Sequence, residues 1–81
     1  MGKKEIDPDV LVDARGLSCP QPLLRVRSVL KNLPTGAIVC VLATDPHASL
    51  DFHAYCARTG HVLLEESEDA GVYRLRLRKM K

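Results

Sequence analysis

The segment with the clearest chemical potential surrounds Cys19, in the run Gly-Leu-Ser-Cys-Pro-Gln-Pro over residues 16–22. Cys19 stands where a predicted strand gives way to a predicted helix, at or beside the helix N-cap. The positive end of a helix dipole favours the thiolate, which is the nucleophilic form of cysteine. Pro20 disfavours helical backbone at the preceding residue, and this projects Cys19 from the helix end. The pattern indicates an exposed nucleophilic thiol, although a cysteine that merely occupies a loop–helix junction would look the same.

The second proline of this run limits how strongly the helix can activate the thiol. An anion at the N-cap normally draws on the N–H groups of the second and third helical positions. With Pro20 at the first position, Pro22 takes the third and has no N–H, so Gln21 is the nearest donor. We therefore expect moderate activation of Cys19, so that a bound sulfur is held loosely enough to be passed on. Because a proline stands where Cys-x-x-Cys needs its second cysteine, no disulfide chemistry is expected within this loop.

The other two cysteines suit packing roles. Cys40 lies within the apolar run 37–43, where a free cysteine behaves as a small hydrophobe. Cys56 falls on the predicted inner face of a second helix; its alternative role, a second sulfur site, requires exposure near Cys19. His53 and Cys56 could form half of a metal site, but no second ligand pair completes it, so no metal is predicted.

Hydrophobic periodicity predicts the elements that position these residues. Residues 10–12 form a short strand, and apolar residues at steps of three and four predict a helix over about 20–33. The uniformly apolar run 37–43 is typical of a central strand buried on both faces. Asp45 is the expected N-cap of a second helix over residues 47–59.

Two further strands complete the pattern. Residues 62–66 lead into a turn at 69–71, after which residues 72–78 alternate strictly between apolar and basic side chains. The order β-α-β-α-β-β predicts an α+β two-layer sandwich, with a four-stranded mixed sheet covered on one face by two helices. Residues 10–81 form this single domain, and residues 1–9 are expected to be a flexible leader.

The last strand carries a basic stripe, which is Arg74, Arg76 and Arg78. Acidic side chains of the preceding strand are its expected partners on a solvated sheet face: Glu65, Glu66 and Glu68. The functional alternative is a docking surface for an acidic protein or for RNA, which would make the chain a non-catalytic binding or regulatory module. Because no aromatic side chain interleaves with the arginines, direct nucleic-acid binding is not expected. Arg27, on the outer side of the first helix, is a candidate for docking a protein partner.

Composition bears on the class of protein and on the cellular compartment in which this thiol would act. The 81 residues carry a net charge of +2, too little by itself to imply a polyanionic partner. The three cysteines cannot all pair, unlike the even and denser set of a secreted scaffold. No apolar run approaches the ~20 residues that span a bilayer, and the N-terminus lacks the apolar region of a signal peptide. We expect a reduced, cytoplasmic, monomeric protein with at least one free thiol.

The run over residues 13–23 resembles the signature of the TusA (SirA-like) sulfur carrier family, whose hallmark is Cys-Pro-x-Pro. The resemblance extends over residues 10–79. It continues through Thr-Asp-Pro at 44–46 and includes Asp51, Cys56 and the basic ending at 73–79.

The resemblance implies a function and its residues. Cys19 would accept sulfane sulfur as a persulfide from a cysteine desulfurase and pass it to a relay protein. The destination would be 2-thiolation of the tRNA wobble uridine, or, as in related members, molybdenum cofactor assembly or sulfur oxidation. No metal or organic cofactor is implied. The site loop would comprise Gly16, Pro20, Gln21 and Pro22.

Three residues are candidates for docking a partner protein. Asp45 and Asp51 would flank the site at the start of the second helix, and Arg27 lies on the outer side of the first helix. Leu50 stands where a charged residue is expected in the family, so partner choice could differ in this chain.

Overall fold

The computed structural model describes residues 10–80, and the leader predicted over residues 1–9 lies outside them. Six elements follow in the predicted order: β1 (Val10–Ala14), α1 (Gln21–Leu30), β2 (Ile38–Ala43), α2 (Ala48–Thr59), β3 (Val62–Asp69) and β4 (Val72–Arg78). The strands coincide with β-branched or alternating segments, and the helices with apolar residues three and four apart.

The four strands form one mixed sheet in the order β1-β2-β4-β3. β1 and β2 are parallel because α1 returns the chain between them, whereas β4 is antiparallel to both of its neighbours. Both helices pack on one face, where their apolar stripes meet alternate side chains of the strands. The predicted α+β two-layer sandwich and the central position of β2 are confirmed.

The core is built from aliphatic side chains around one aromatic ring. Val26 of α1 and Phe52 of α2 are fully buried against Val41 of β2 and Leu75 and Leu77 of β4. The predicted inner face of α2 is confirmed, since Phe52 is joined in the core by the next inward-facing side chains along the helix, Tyr55 and Cys56. This packing fixes both helices, and therefore both of their N-terminal ends, against the same sheet.

Helix α1 is shorter than the predicted span of 20–33. It starts at Gln21, so Pro20 occupies the N-cap and Pro22 the second helical position rather than the third. At the other end, Asn32 and Leu33 donate to carbonyls three residues back, at 3.1 Å each. The chain therefore tightens into a 3₁₀-type turn before Pro34, which apolar spacing alone does not reveal.

Helix α2 begins one residue later than predicted, and Asp45 is not its N-cap. His47 occupies that position. Asp45 instead forms a turn that precedes the helix: its carboxylate accepts the His47 N–H at 2.9 Å and its carbonyl accepts the Ala48 N–H at 3.0 Å. Gly60 ends the helix with φ +89°, as its predicted left-handed cap role requires.

A register shift between Leu63 and Glu65 decides where the acidic side chains of β3 point. After this irregularity Glu65 pairs with Arg76 across the sheet, at 2.8 Å. Glu66 lies on the helix side, where its carboxylate binds Ser49 and His53 of α2. The predicted pairing of the arginine stripe with the acids of β3 thus holds for Glu65 and is wrong for Glu66.

Glu68, the third predicted partner of the stripe, accepts the backbone N–H of Gly71 at 2.9 Å. Its carboxylate therefore caps the β3–β4 hairpin turn and does not pair with an arginine.

Candidate functional site

The loop between β1 and α1 is held by backbone contacts to the neighbouring β2–α2 loop. Gly16 has φ +83°, a conformation that favours glycine, and its N–H donates to Thr44 Oγ1 at 2.9 Å. Gln21 N–H donates to Ser18 carbonyl oxygen at 2.9 Å, which closes a turn around Cys19. The loop therefore presents Cys19 from a fixed backbone.

Cys19 is the exposed thiol among the three cysteines, and Cys40 and Cys56 are buried. Its backbone N–H donates to Asp45 Oδ2 at 2.6 Å, and its Sγ donates to Asp51 Oδ2 at 2.5 Å. The Cys19–Pro20 peptide bond is cis. The structure thus brings Cys19 together with Asp45 and Asp51, two residues that sequence reasoning placed beside the site as candidates for docking and not as hydrogen-bond partners of Cys19.

The electrostatics of the thiol differ from the moderate activation expected of a helix N-terminus. The hydrogen bond to Asp51 raises the pKa of Cys19 to about 11, and the partial loss of hydration beside Asp51 and the negative charges of Asp51 and Asp45 act in the same direction. A carboxylate that accepts the thiol proton stabilises the neutral form. At neutral pH Cys19 is therefore held as a thiol and not as a thiolate.

The helix end offers little to oppose this effect. Gln21, the donor expected to face the sulfur, directs its N–H to the Ser18 carbonyl. Pro22 has no N–H at all and is buried, so it serves packing beneath the loop. The carboxylate of Asp45 is stabilised by the N–H groups of His47 and Cys19, which lower its pKa.

The remaining candidate thiol and metal residues do not join the site. Cys56 is 7% exposed in the core of α2, and burial raises the pKa of its thiol. That burial removes the exposure that a second sulfur site would need. His53 Nε2 contacts Glu66 Oε1 at 2.7 Å, on the outer surface of α2. Within residues 10–80 no group of three or more His, Cys, Asp or Glu side chains is arranged to hold a metal ion.

Arg27 lies in a basic groove at the far ends of the two helices. The groove has a volume of about 530 Å³ and is lined by Arg27, Leu30, Lys31, Tyr55, Arg58, Thr59, His61 and Lys79. At 1.5 Å per residue, Arg27 stands about 9 Å along the helix axis from the first residue of α1. The structure therefore separates the predicted docking arginine from the thiol.

One cation of this groove has a structural role that the sequence did not reveal. Lys79 Nζ donates to the carbonyl oxygens of Leu30 and Leu33, at 2.6 Å each. The Leu30 carbonyl belongs to the last turn of α1 and the Leu33 carbonyl to the 3₁₀-type turn that follows it, so Lys79 caps the end of this helix. Lys79 directly follows β4, far from Leu30 and Leu33 in the sequence, so only the fold brings its side chain to the end of α1.

The Cys19–Asp51 contact also escapes sequence analysis as a contact, but a signal for it exists. β1 and β2 are parallel, so the loops after their carboxyl ends meet at one edge of the sheet. Cys19 follows β1, and the Asp45 turn and first helical turn of α2 follow β2. That topology places an acidic first turn beside the thiol.

The exposed surface next to the site includes an apolar residue. Leu50 is 68% exposed and precedes Asp51 directly.

No helix within the described residues is long and apolar enough to cross a membrane.

Comparison with known proteins identifies the family. The sequence profile of the family described as Sulfurtransferase TusA matches residues 10–79. The sulfur carrier protein TusA of Pseudomonas putida (strain W619) is 39% identical over 75 residues, 93% of this chain and 94% of that protein. A putative sulfur carrier protein of Neisseria meningitidis serogroup A is 48% identical over 64 residues, 79% of this chain and 86% of that protein.

A solved structure has the same fold. The crystal structure of a SirA-like protein from Desulfitobacterium hafniense matches with a TM-score of 0.78 at 24% identity, covering 89% of this chain and 99% of that one. The family resemblance expected from Cys-Pro-x-Pro and its companion residues is thereby confirmed. The chain belongs to the TusA family of sulfur carriers.

Proposed function

We propose that this protein is a sulfurtransferase of the carrier type, with Cys19 as the residue that bears the sulfur. The observation that carries the proposal is the contrast among its cysteines: the Cys-Pro-x-Pro thiol is exposed at the helix ends, whereas Cys40 and Cys56 are buried. Thiol–persulfide exchange requires an accessible sulfur, because the reacting sulfur atoms must meet directly. Among the described cysteines Cys19 meets that requirement.

The proposed reaction conserves atoms and electrons. Cys19 Sγ attacks the outer sulfur of a persulfide on a cysteine desulfurase, the donor S–S bond breaks, and the donor cysteine leaves as a thiol. The product is a persulfide on Cys19. The sulfane sulfur changes its partner without net oxidation or reduction, so no metal or organic cofactor is called for. A downstream relay protein then takes the sulfur by the same exchange.

The proposed destination is 2-thiolation of the wobble uridine of tRNA in the cytoplasm. Family membership supports this assignment, and measurement of 2-thiouridine in tRNA from cells that lack the gene tests it. Restoration by the wild-type chain and not by Cys19→Ser is expected. An unchanged 2-thiouridine level in cells without the gene contradicts this destination and favours molybdenum cofactor assembly or sulfur oxidation instead.

Intact mass after incubation with a cysteine desulfurase and cysteine tests the carrier chemistry itself. We expect the wild-type protein to gain one sulfur atom, which a reducing thiol removes again. Cys19→Ser gains none, and Cys56→Ser, the matched control with the same substitution, gains one as the wild type does. A wild-type protein that gains no sulfur contradicts the proposal.

The rival function, a binding module that uses the arginines of β4, has less support. Arg76 is engaged by Glu65, so the stripe is partly neutralised within the sheet. If the triple change of Arg74, Arg76 and Arg78 to alanine abolishes function in cells while Cys19→Ser is silent, this rival replaces the carrier proposal.

A further inference from the structure

The surroundings of Cys19 are unusual for a nucleophile, since they stabilise its protonated form. Asp51 accepts the Sγ proton at 2.5 Å, and Asp45 holds the backbone of the same residue at 2.6 Å. Reactive cysteines generally lie beside cations or helix N-terminal N–H groups, which stabilise the thiolate. Here two carboxylates take those places.

The charged groups that face Cys19 come from one side of the molecule. Asp45 lies in the turn before α2 and Asp51 in the first turn of that helix. The ring of His47 lies beside Asp45, with its Nδ1 3.4 Å from Asp45 Oδ1. Among the described residues, Asp51 is the group hydrogen-bonded to the reacting sulfur atom.

We propose that Asp51 is the proton carrier of sulfur exchange at Cys19, and that its hydrogen bond to the empty thiol biases the protein toward giving sulfur up. This inference rests on the proposed function. It assigns to Asp51 a chemical role in place of the partner contact expected from the sequence.

In loading, the Cys19 proton moves to Asp51 Oδ2 as Sγ attacks the outer sulfur of the donor persulfide. The donor S–S bond breaks, its electron pair stays on the donor sulfur, and that sulfur takes the proton from Asp51. The sum is Cys19–SH plus a donor persulfide giving a Cys19 persulfide plus a donor thiol. Discharge runs the same steps in reverse, with the acceptor thiol as the source of the proton returned to Sγ.

The bias arises because the hydrogen bond needs a proton on Sγ. In the persulfide that position is bonded to sulfur, so the contact with Asp51 exists only in the empty protein. The negative charges of Asp45 and Asp51 also disfavour an anionic persulfide beside them. Loading therefore costs a hydrogen bond to a charged group, and discharge restores it.

Alkylation of Cys19 by iodoacetamide as a function of pH tests the proton part of the proposal. Asp51→Asn is expected to move the inflection from about 11 toward the ordinary value of 9.0. At a pH near 8, the gain in thiolate outweighs the loss of nucleophilicity, and the rate rises about tenfold. Asp51→Glu, which keeps a carboxylate, restores much of the wild-type profile and shows that the effect is not a folding defect.

The sulfur part is tested by the equilibrium between the protein and a low-molecular-weight persulfide such as glutathione persulfide. Asp51→Asn is expected to raise the exchange constant for loading by about tenfold, because the empty state loses its hydrogen bond to a charged group. Asp69→Asn, the same substitution on the β3–β4 hairpin, is the control and leaves both measurements unchanged.

The outcomes separate this inference from the proposed function. If wild type and Asp51→Asn share one alkylation profile and one exchange constant, the role of Asp51 is overturned while Cys19 remains the carrier. If the wild-type protein takes up no sulfur from the small persulfide or from a desulfurase, the proposed function itself fails. The alkylation measurement stays interpretable in either case because it needs no sulfur transfer.

Discussion

The two ends of the helix pair differ in charge and in what their charges do. The thiol end comprises Cys19, Asp45 and Asp51, where both helices begin; the basic end is the groove lined by Arg27, Lys31, Arg58 and Lys79, where both finish. Acids at helix starts and cations at helix ends both complement the helix dipole, at a few tenths of a kcal/mol to about 1 kcal/mol each. The charges at both ends therefore stabilise the helices in the same way.

What separates the ends is the partner that each charge finds. At the thiol end the carboxylate of Asp51 contacts Cys19 Sγ, the atom that we propose bears the sulfur. At the basic end Lys79 is tied to helix carbonyls, while Arg27, Lys31 and Arg58 make no ion pair within residues 10–80 and face the groove. We therefore expect sulfur exchange at the thiol end. At the basic end we expect Lys79 to stabilise the fold and the arginines to dock a partner protein.

The largest effect is expected from Cys19→Ser, which removes the reacting sulfur from the thiol end. Uptake of sulfur from a desulfurase, followed by intact mass, falls to background. Cys40→Ala and Cys56→Ser retain uptake, because these thiols are buried away from solvent. If Cys19→Ser still gained a persulfide, another thiol would be the sulfur acceptor, and the assignment of sulfur exchange to the thiol end would be wrong.

Lys79→Met is expected to cause the next largest effect, on stability. The change leaves the carbonyls of Leu30 and Leu33 without their charged donor, which lowers the free energy of unfolding by about 2 kcal/mol. Urea denaturation measures it. Lys31→Met, an exposed lysine of the same groove, is the matched control and stays within about 0.5 kcal/mol of wild type.

Charge reversal of Arg27 and Arg58, which make no ion pair within residues 10–80, tests whether the basic end docks a partner. Arg27→Glu with Arg58→Glu is expected to slow desulfurase-driven loading about tenfold at low salt, with a smaller difference at high salt, because steering by surface charge is screened. Alkylation of Cys19 by iodoacetamide remains at the wild-type rate. A change in alkylation would mean that the groove also acts on the thiol.

The smallest effect is expected at the Asp13–Arg15 ion pair, which is exposed at the end of β1. Its contacts with Arg15 lower the pKa of Asp13 from 3.8 to about 2. A carboxyl whose pKa is depressed on folding contributes stability above its unfolded value and loses it as pH falls through the folded one. The small stability difference between wild type and Asp13→Asn should therefore close between pH 3.8 and about 2; a difference that persists below that range contradicts the assignment.

The fold followed from the sequence because its patterns are local. The uniformly apolar β2 and the alternating β4 have different periodicities from the helices, and a proline or glycine separates each segment from the next. The ends of α1 were less predictable, since the 3₁₀-type turn at Asn32 and Leu33 is settled by hydrogen bonds of the folded backbone. The sheet face on which Glu66 lies was likewise unpredictable, because the register shift after Leu63 is not visible in the sequence pattern.

The exposure of the candidate thiol was predictable from the sequence, whereas the electrostatics around it were not. Cys-Pro-x-Pro predicts an exposed thiol at a helix start, and the structure exposes Cys19 there. Helix-dipole reasoning favoured the thiolate, but it considered only the helix to which the thiol belongs. Asp51 comes from the other helix, 32 residues away in sequence. Its direct hydrogen bond outweighs a helix dipole whose first N–H, that of Gln21, is engaged by Ser18 and whose second position is a proline.

The most direct test of the whole account is the loading of four proteins from a low-molecular-weight persulfide, which needs no docking, compared by intact mass. Wild type and the Arg27→Glu, Arg58→Glu double variant should load equally, Asp51→Asn should load to a higher equilibrium level, and Cys19→Ser should not load. Sulfur on Cys19→Ser, or impaired loading of the arginine variant from this small donor, would contradict the division between a chemical end and a docking end.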